Sequence, residues 1–297
     1  MRTSHEPTVL VTGATGTVGQ FVVEALADYD CTARPLVRNP DDAGEGAVAF
    51  DFQKPETWGD AFDGGDSLFV VRPPQIGRVG RDVNPAIDAA IRCGVDHVVV
   101  LSVLGAEKNP LLPHRRIEKH VEQADCTHTF LRGSFFMQNF DEVHLADIRD
   151  HDELFVPAGD GKTSFVDARD IGAVAAAALV EPGHENVAYD LTGPEALDYD
   201  EVAAVFSDVL DRDVTYPRPG ALGFVRRLVG RGEPLPFALV QVAVYTTARL
   251  GLAGRVTDDV ERVLGREPRP LDEYVADYRD AFTPAAAADE EVAHVAP

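Results

Sequence analysis

Twelve residues near the start of the chain, Thr8-Val9-Leu10-Val11-Thr12-Gly13-Ala14-Thr15-Gly16-Thr17-Val18-Gly19, constrain the fold more than any other stretch. Val9 to Val11 have the apolar, β-branched character of a buried strand, and Phe21, Val22, Ala25 and Leu26 then recur at helical spacing. Glycines at positions 13, 16 and 19 lie between. A strand that turns through glycines into a helix lets backbone approach a ligand closely. The helix start offers unpaired N–H groups and a positive dipole end, which suit a pyrophosphate. The spacing Gly-x-x-Gly-x-x-Gly differs from the G-x-G-x-x-G of the general dinucleotide fingerprint. Thr12, Gly13, Thr15, Gly16, Thr17, Val18 and Gly19 are the residues expected around the phosphates.

Downstream, apolar β-branched runs alternate with helical periodicity. Strands are expected over Thr32 to Val37, Val48 to Phe52, Ser67 to Val71, His97 to Leu101 and Thr127 to Leu131, with helices over Asn84 to Cys93 and Pro113 to Gln123. This rhythm predicts an α/β fold of Rossmann type, a doubly wound parallel sheet with helices on both faces. Ligands of such sheets bind at the carboxyl ends of the strands, where Gly13, Arg38, Asp51, Val71, Arg72 and Ser102 all fall, and Val71 and Arg72 are expected to contact the cofactor there. Arg38 follows the second strand roughly 20 residues past the glycines, where an acidic residue would hold the ribose of NAD. A guanidinium there can grip a 2′-phosphate by two parallel bonds, so NADP(H) is favoured over NAD(H). Arg34 is a weaker second candidate.

Beyond Leu131, Phe135, Phe136, Met137 and Phe140 are interleaved with Gln138 and Asn139. Phe135, Phe136, Met137 and Asn139 could wall a pocket for a flat ring, or the apolar ones could be core. The second half reads as short strands at Leu154 to Pro157, Ser164 to Val166, Val187 to Leu191 and Val214 to Tyr216. Helices are expected at Asp170 to Leu179 and, capped by Asp198, through Leu210, and the pattern is mostly helical from Gly220. The expected organisation is a nucleotide-binding domain over 1–150, a smaller and mostly helical substrate region over 151–282 partly interleaved with it, and a disordered acidic tail over 283–297.

The formal charge of −23 argues against nucleic-acid backbones and anionic membranes as main partners. Acidity comes with 23 Arg against 4 Lys, read as adaptation to high salt. Cys31, Cys93 and Cys126 form no C-x-x-C pair, so neither a disulfide framework nor a metal site is expected. No charged-then-apolar leader opens the chain and no apolar stretch is long enough to span a bilayer; the expectation is a soluble, cytoplasmic protein with a small-molecule substrate.

Taken in order, several segments resemble the NmrA-like branch of the atypical short-chain dehydrogenases, a group related to NAD(P)H-dependent quinone reductases and NmrA-type redox sensors. They are Val11-Thr12-Gly13-Ala14-Thr15-Gly16, Leu36-Val37-Arg38, Leu101-Ser102-Val103-Leu104-Gly105-Ala106, Leu131-Arg132 with Phe135 to Phe140, Phe165 to Ile171, Leu191 to Leu197 and Val256 to Val260. The resemblance implies that Asp51 and Phe52 touch adenine, although Asp51 could equally cap the helix near Pro55. It also matches Ser102 with the active-site serine. Typical short-chain dehydrogenases carry Tyr-x-x-x-Lys, the tyrosine donating a proton. Here His114 replaces the tyrosine and Glu118 the lysine, with Lys119 one position on. A histidine titrates near neutrality and could donate the proton. The implied activity is NADPH-dependent reduction of a small conjugated carbonyl or quinone, with His114 and Ser102 supplying the proton or hydrogen bond. Loss of the tyrosine and lysine supports a second reading, a non-catalytic NAD(P)-binding sensor that reports to a protein partner.

Overall fold

The computed structural model describes residues 6–44 and 46–284. The expected tail therefore lies, from residue 285 on, outside the described residues. In chain order the elements are β1 (Thr8–Thr12), α1 (Gly19–Leu26), β2 (Thr32–Val37), β3 (Val48–Ala49), α2 (Trp58–Phe62), β4 (Ser67–Val70), α3 (Val79–Asp82), α4 (Asn84–Arg92), β5 (His97–Val103), α5 (Pro113–Val121) and β6 (Thr127–Gly133). There follow β7 (Phe135–Phe136), α6 (Asn139–Glu142), α7 (Leu145–His151), β8 (Phe165–Val166), α8 (Ala168–Val180), β9 (Val187–Leu191) and α9 (Tyr199–Leu210). The last are α10 (Ala221–Gly230), α11 (Leu235–Arg249), α12 (Asp259–Leu264), α13 (Leu271–Asp277) and α14 (Arg279–Phe282).

The described chain divides into two units. The first holds the residues up to Gly133 together with Ala168–Leu191 and Asp258–Glu267. Its sheet has the order β3-β2-β1-β4-β5-β6-β9, with every neighbouring pair parallel. Val9, Leu10 and Val11 are fully buried, as a strand covered on both faces requires. Leu10, Val70, Val98 and Val100 share one core with Phe62, Ile87 and Ile117 from the helices on that side. Elsewhere α8 packs on α1 so closely that a Cβ on Gly172 would stand 2.6 Å from the Phe21 Cβ. Small side chains make that approach possible, because Ala175 to Ala178 are all buried.

The division falls at Gly133 rather than at 150, and the first unit takes back two later segments. The reason is hydrogen bonding. β9 adds to β6 in the register Thr129↔Val187 to Gly133↔Leu191, satisfying backbone groups that the edge of β6 would otherwise expose. In sequence this segment reads as part of the second half.

The second unit comprises Ser134–Asp167, Thr192–Thr257 and the described residues from Pro268 on. Its core is aromatic: Phe140 tilts on Phe165 and meets Phe206 edge-on, and Phe165 meets Tyr199, which in turn meets Tyr245. Asp198 caps α9 as expected, accepting from Glu201 N at 2.9 Å while Glu201 accepts from Asp198 N at 2.8 Å.

Three expected strands lose most of their length, and those at Ser67 to Val71 and Ser164 to Val166 lose one residue each. β3 stops at Ala49, because Asp51 turns the chain by accepting from Gln53 N at 2.9 Å. The runs at Leu154 to Pro157 and Val214 to Tyr216 reduce to one bridge, Glu153↔Thr215. Left-handed residues (Asp152, φ 54°; Arg218, φ 51°) and Pro157 and Pro217 end the pairing on either side.

Candidate active site

The glycine loop stands at the carboxyl edge of the sheet, and its three glycines act differently. Gly13 has φ +62°, and a Cβ there would lie 2.5 Å from Val71 Cγ1. Gly19 opens α1 against the turn itself, where a Cβ would stand 2.1 Å from the Gly13 carbonyl oxygen. Gly16 is looser; its N–H donates to Gly13 O at 2.9 Å, and a Cβ would meet the same oxygen at 3.3 Å. Thr12 is buried and ties the ends of two strands together. Its hydroxyl donates to Phe69 O at 3.0 Å and accepts from Val71 N at 2.9 Å. No side chain caps the start of α1, and Thr15 and Gly16 are exposed beside it. The uncapped helix end and the close-packed glycine cradle fit a pyrophosphate.

Arg38 is exposed just past β2, and its guanidinium bonds to no described residue. Arg34, the weaker candidate, instead donates to Asp63 O at 2.5 Å. Asp51 lies at the same edge, with one carboxylate oxygen in its turn with Gln53 and its carbonyl accepting from the Trp58 indole at 2.9 Å. Phe52 is buried, edge-on to Phe50. A cavity of about 780 Å³ lies at the opposite edge, by the starts of β4, β5 and β6. Its lining includes Asp66, Asp96, Glu181 and Glu185, which would repel a phosphate.

The replaced lysine position holds a carboxylate with four side-chain hydrogen bonds. Glu118 is fully buried on α5. Its Oε1 accepts from Ser102 Oγ at 2.6 Å and Arg132 Nε at 3.0 Å, and its Oε2 accepts from Arg132 Nη2 and Arg115 Nη1, both at 3.0 Å. Burial alone would raise this carboxyl, but the Arg132 and Ser102 bonds outweigh burial and hold it below the usual range. Ser102 lies inside β5, in register with Arg132 on β6, rather than beyond the strand end. Its proton is therefore committed to Glu118. Neither arginine was singled out by sequence reasoning for this role. The four-residue step from His114 to Glu118 was the available signal, and Arg132 lies on another strand.

His114 sits half-buried in the first turn of α5, and its ring makes no hydrogen bond to a described residue. Burial, reinforced by the charge of Arg72 and opposed by Glu118, pushes its pKa down to about 4. The expectation of a histidine titrating near neutrality is thereby corrected: the imidazole is neutral at pH 7 and offers one N–H donor and one acceptor.

Residues 5–275 match the NmrA-like family. The chain belongs to the NmrA-like family. Among its relatives is an NAD(P)H azoreductase of Xenophilus azovorans, 35% identical over 284 residues, covering 92% of this chain and 99% of the relative. Quinone oxidoreductase 2 of Escherichia coli is 28% identical over 237 residues, covering 76% and 82%. Of solved structures, the triphenylmethane reductase of Citrobacter sp. complexed with NADP(H) has a TM-score of 0.81 at 26% identity, covering 92% of this chain and 99% of that one. In this NmrA-like chain the four residues expected at the substrate belong to the second unit and differ in surroundings. Met137 is buried in the aromatic core. Phe135 is half-buried, with its ring against Phe165 and Tyr245. Phe136 and Asn139 are half-buried. Among the described residues no cluster of His, Cys, Asp or Glu could hold a metal ion, and no helix is long and apolar enough to cross a membrane.

Proposed function

We propose that this NmrA-like chain is an NAD(P)H-dependent oxidoreductase that reduces a small quinone or related conjugated carbonyl, with NADPH as the preferred donor. The observation that carries the cofactor reading is the glycine cradle at an uncapped helix start with Arg38 exposed and unbonded at the next strand end. The similarity to an NAD(P)H azoreductase and to a quinone oxidoreductase supports the substrate class. Gly13, Gly16 and Gly19 would hold the pyrophosphate, Arg38 the 2′-phosphate, and Asp51 and Phe52 the adenine side.

When bound, the reduced nicotinamide supplies a hydride, so quinone, NADPH and one proton give hydroquinone and NADP⁺. The protein's task is to orient the rings and steady the oxygen that gains charge. His114, neutral at pH 7, does this as an N–H hydrogen-bond donor, and solvent supplies the proton. Ser102 acts one step removed, by holding Glu118 on α5. Phe136 and Asn139 would face the substrate.

The test follows NADPH and NADH oxidation in molar KCl with a quinone panel. Turnover is expected, with NADPH favoured over NADH and that preference lost in Arg38→Ala. His114→Ala should lower kcat about 100-fold with cofactor affinity unchanged, within the range of a single oxyanion donor. Micromolar cofactor binding without turnover of any quinone would overturn the enzyme and favour the sensor.

A further inference from the structure

Arg72, in the turn after β4, is bound on one side only. Its Nη1 donates to three backbone carbonyls, Pro73 O at 2.9 Å, Pro74 O at 3.1 Å and Ile76 O at 3.0 Å. These bonds fix the plane of the guanidinium. The other edge is unused: Nε is buried without a hydrogen-bond partner, and Nη2 bonds to no described residue. That edge carries two parallel N–H groups at the spacing of a carboxylate or phosphate. Arg115 and Arg132, by contrast, both donate to Glu118.

In a chain with 50 acidic against 27 basic residues, a partly buried arginine without a carboxylate is a cation held ready rather than neutralised. Leaving such a donor desolvated and unbonded is unfavourable, and an incoming anion would recover that free energy. Burial alone lowers the Arg72 pKa, with no acid opposing it, and its charge reaches His114. Its place is set by its neighbour, since Val71 packs on Gly13 and is held by Thr12.

We propose that the Nε–Nη2 edge of Arg72 is a binding site for an oxyanion group of the substrate, a carboxylate, sulfonate or phosphate, beside His114. The site deepens the reductase reading, because it rests on His114 facing the substrate. It implies that the preferred quinone or carbonyl compound carries an acidic substituent; it is separate from the 2′-phosphate position of Arg38, and it gives Arg72 to the substrate in place of the cofactor contact expected from the sequence.

The test is equilibrium binding to the NADP⁺-loaded protein at fixed KCl concentration, with 2-naphthoate and its neutral isostere 2-naphthamide. Wild type should bind the carboxylate at least tenfold tighter than the amide. Arg72→Gln should weaken 2-naphthoate about tenfold or more while leaving 2-naphthamide within twofold, and Arg72→Lys should restore part of the preference. NADPH affinity should stay within twofold in both variants. Equal weakening of both ligands would reduce Arg72 to a pin for its loop. A tenfold loss of NADPH affinity with 2-naphthoate unaffected would move the anion to the cofactor; either result overturns the proposal. Because no turnover is read, failure of the reductase reading shows separately: a carboxylate preference that depends on Arg72, in a protein that reduces no quinone, sustains this site and removes that activity.

Discussion

A buried carboxylate surrounded by two arginines and a serine answers sharply to single substitutions. Glu118→Gln leaves the half-buried Arg132 facing a neutral amide with only the 3.6 Å pair to Glu107 remaining, so a loss of roughly 2–4 kcal/mol is expected in urea unfolding. Ser102→Ala removes one of four bonds to that carboxylate and should cost only about 1–3 kcal/mol, with turnover largely retained. A collapse of turnover in Ser102→Ala at unchanged stability would restore the serine to the chemistry. The neutral state of His114 makes a second prediction. If it acts as a hydrogen-bond donor, kcat should be flat between about pH 6 and 8, because its depressed pKa of about 4 lies well below that window and the ring keeps an N–H throughout. A decline above pH 6.5 would mean that the imidazolium is the working form. The shared face of His114 and Glu118 is legible from their spacing. What is not legible is that Ser102 and Arg132, 16 and 14 residues from Glu118, converge on it, since strand register alone brings them side by side. Nor can a sequence report how deeply an imidazole is buried.

At the level of elements, the glycines separate loop folding from ligand fit. Gly19→Ala places a methyl 2.1 Å from a backbone oxygen that cannot retreat without opening the turn, whereas Gly16→Ala asks for a few tenths of an ångström. Thermal melts should therefore show Gly19→Ala strongly destabilised and Gly16→Ala close to wild type. The limits of β2 and β9 follow from their apolar runs and agree with the sequence reading to the residue. Agreement fails where an apolar run lacks a partner: Leu154 to Pro157 and Val214 to Tyr216 have strand composition, yet turns and prolines leave them a single bridge. Composition announces a candidate strand, while pairing is decided by what the rest of the chain brings alongside. The same reason hid the division at Gly133.

For the molecule as a whole, electrostatics set the conditions of stability. A net charge of −23 repels itself in dilute buffer, and at 1 M salt the Debye length shrinks to about 3 Å. The melting temperature should rise from dilute to molar KCl, and an unchanged value would remove the reading of high-salt adaptation. Acid acts the other way. His114 and His144 are both held neutral by burial with pKa values down to about 4, so the unfolded chain takes up protons first as pH falls below about 6.5. Their share of stability is complete above that pH and lost progressively towards 4. Glu118, also depressed, adds a loss at lower pH still. In molar KCl, where self-repulsion is screened, melting temperatures should fall between pH 7 and 4.

The return of β9 to the far side of β6 also governs how the chain can be made. A ribosome delivers the residues up to 133 first, but α8, β9 and α12 arrive only as 168–191 and 258–267 emerge. Until then β6 presents an open row of N–H and C=O groups, the kind of edge that recruits other chains. Synthesis that halts near residue 150 would therefore yield an aggregating fragment instead of a small working nucleotide-binding domain. The first unit to begin folding is among the last to finish.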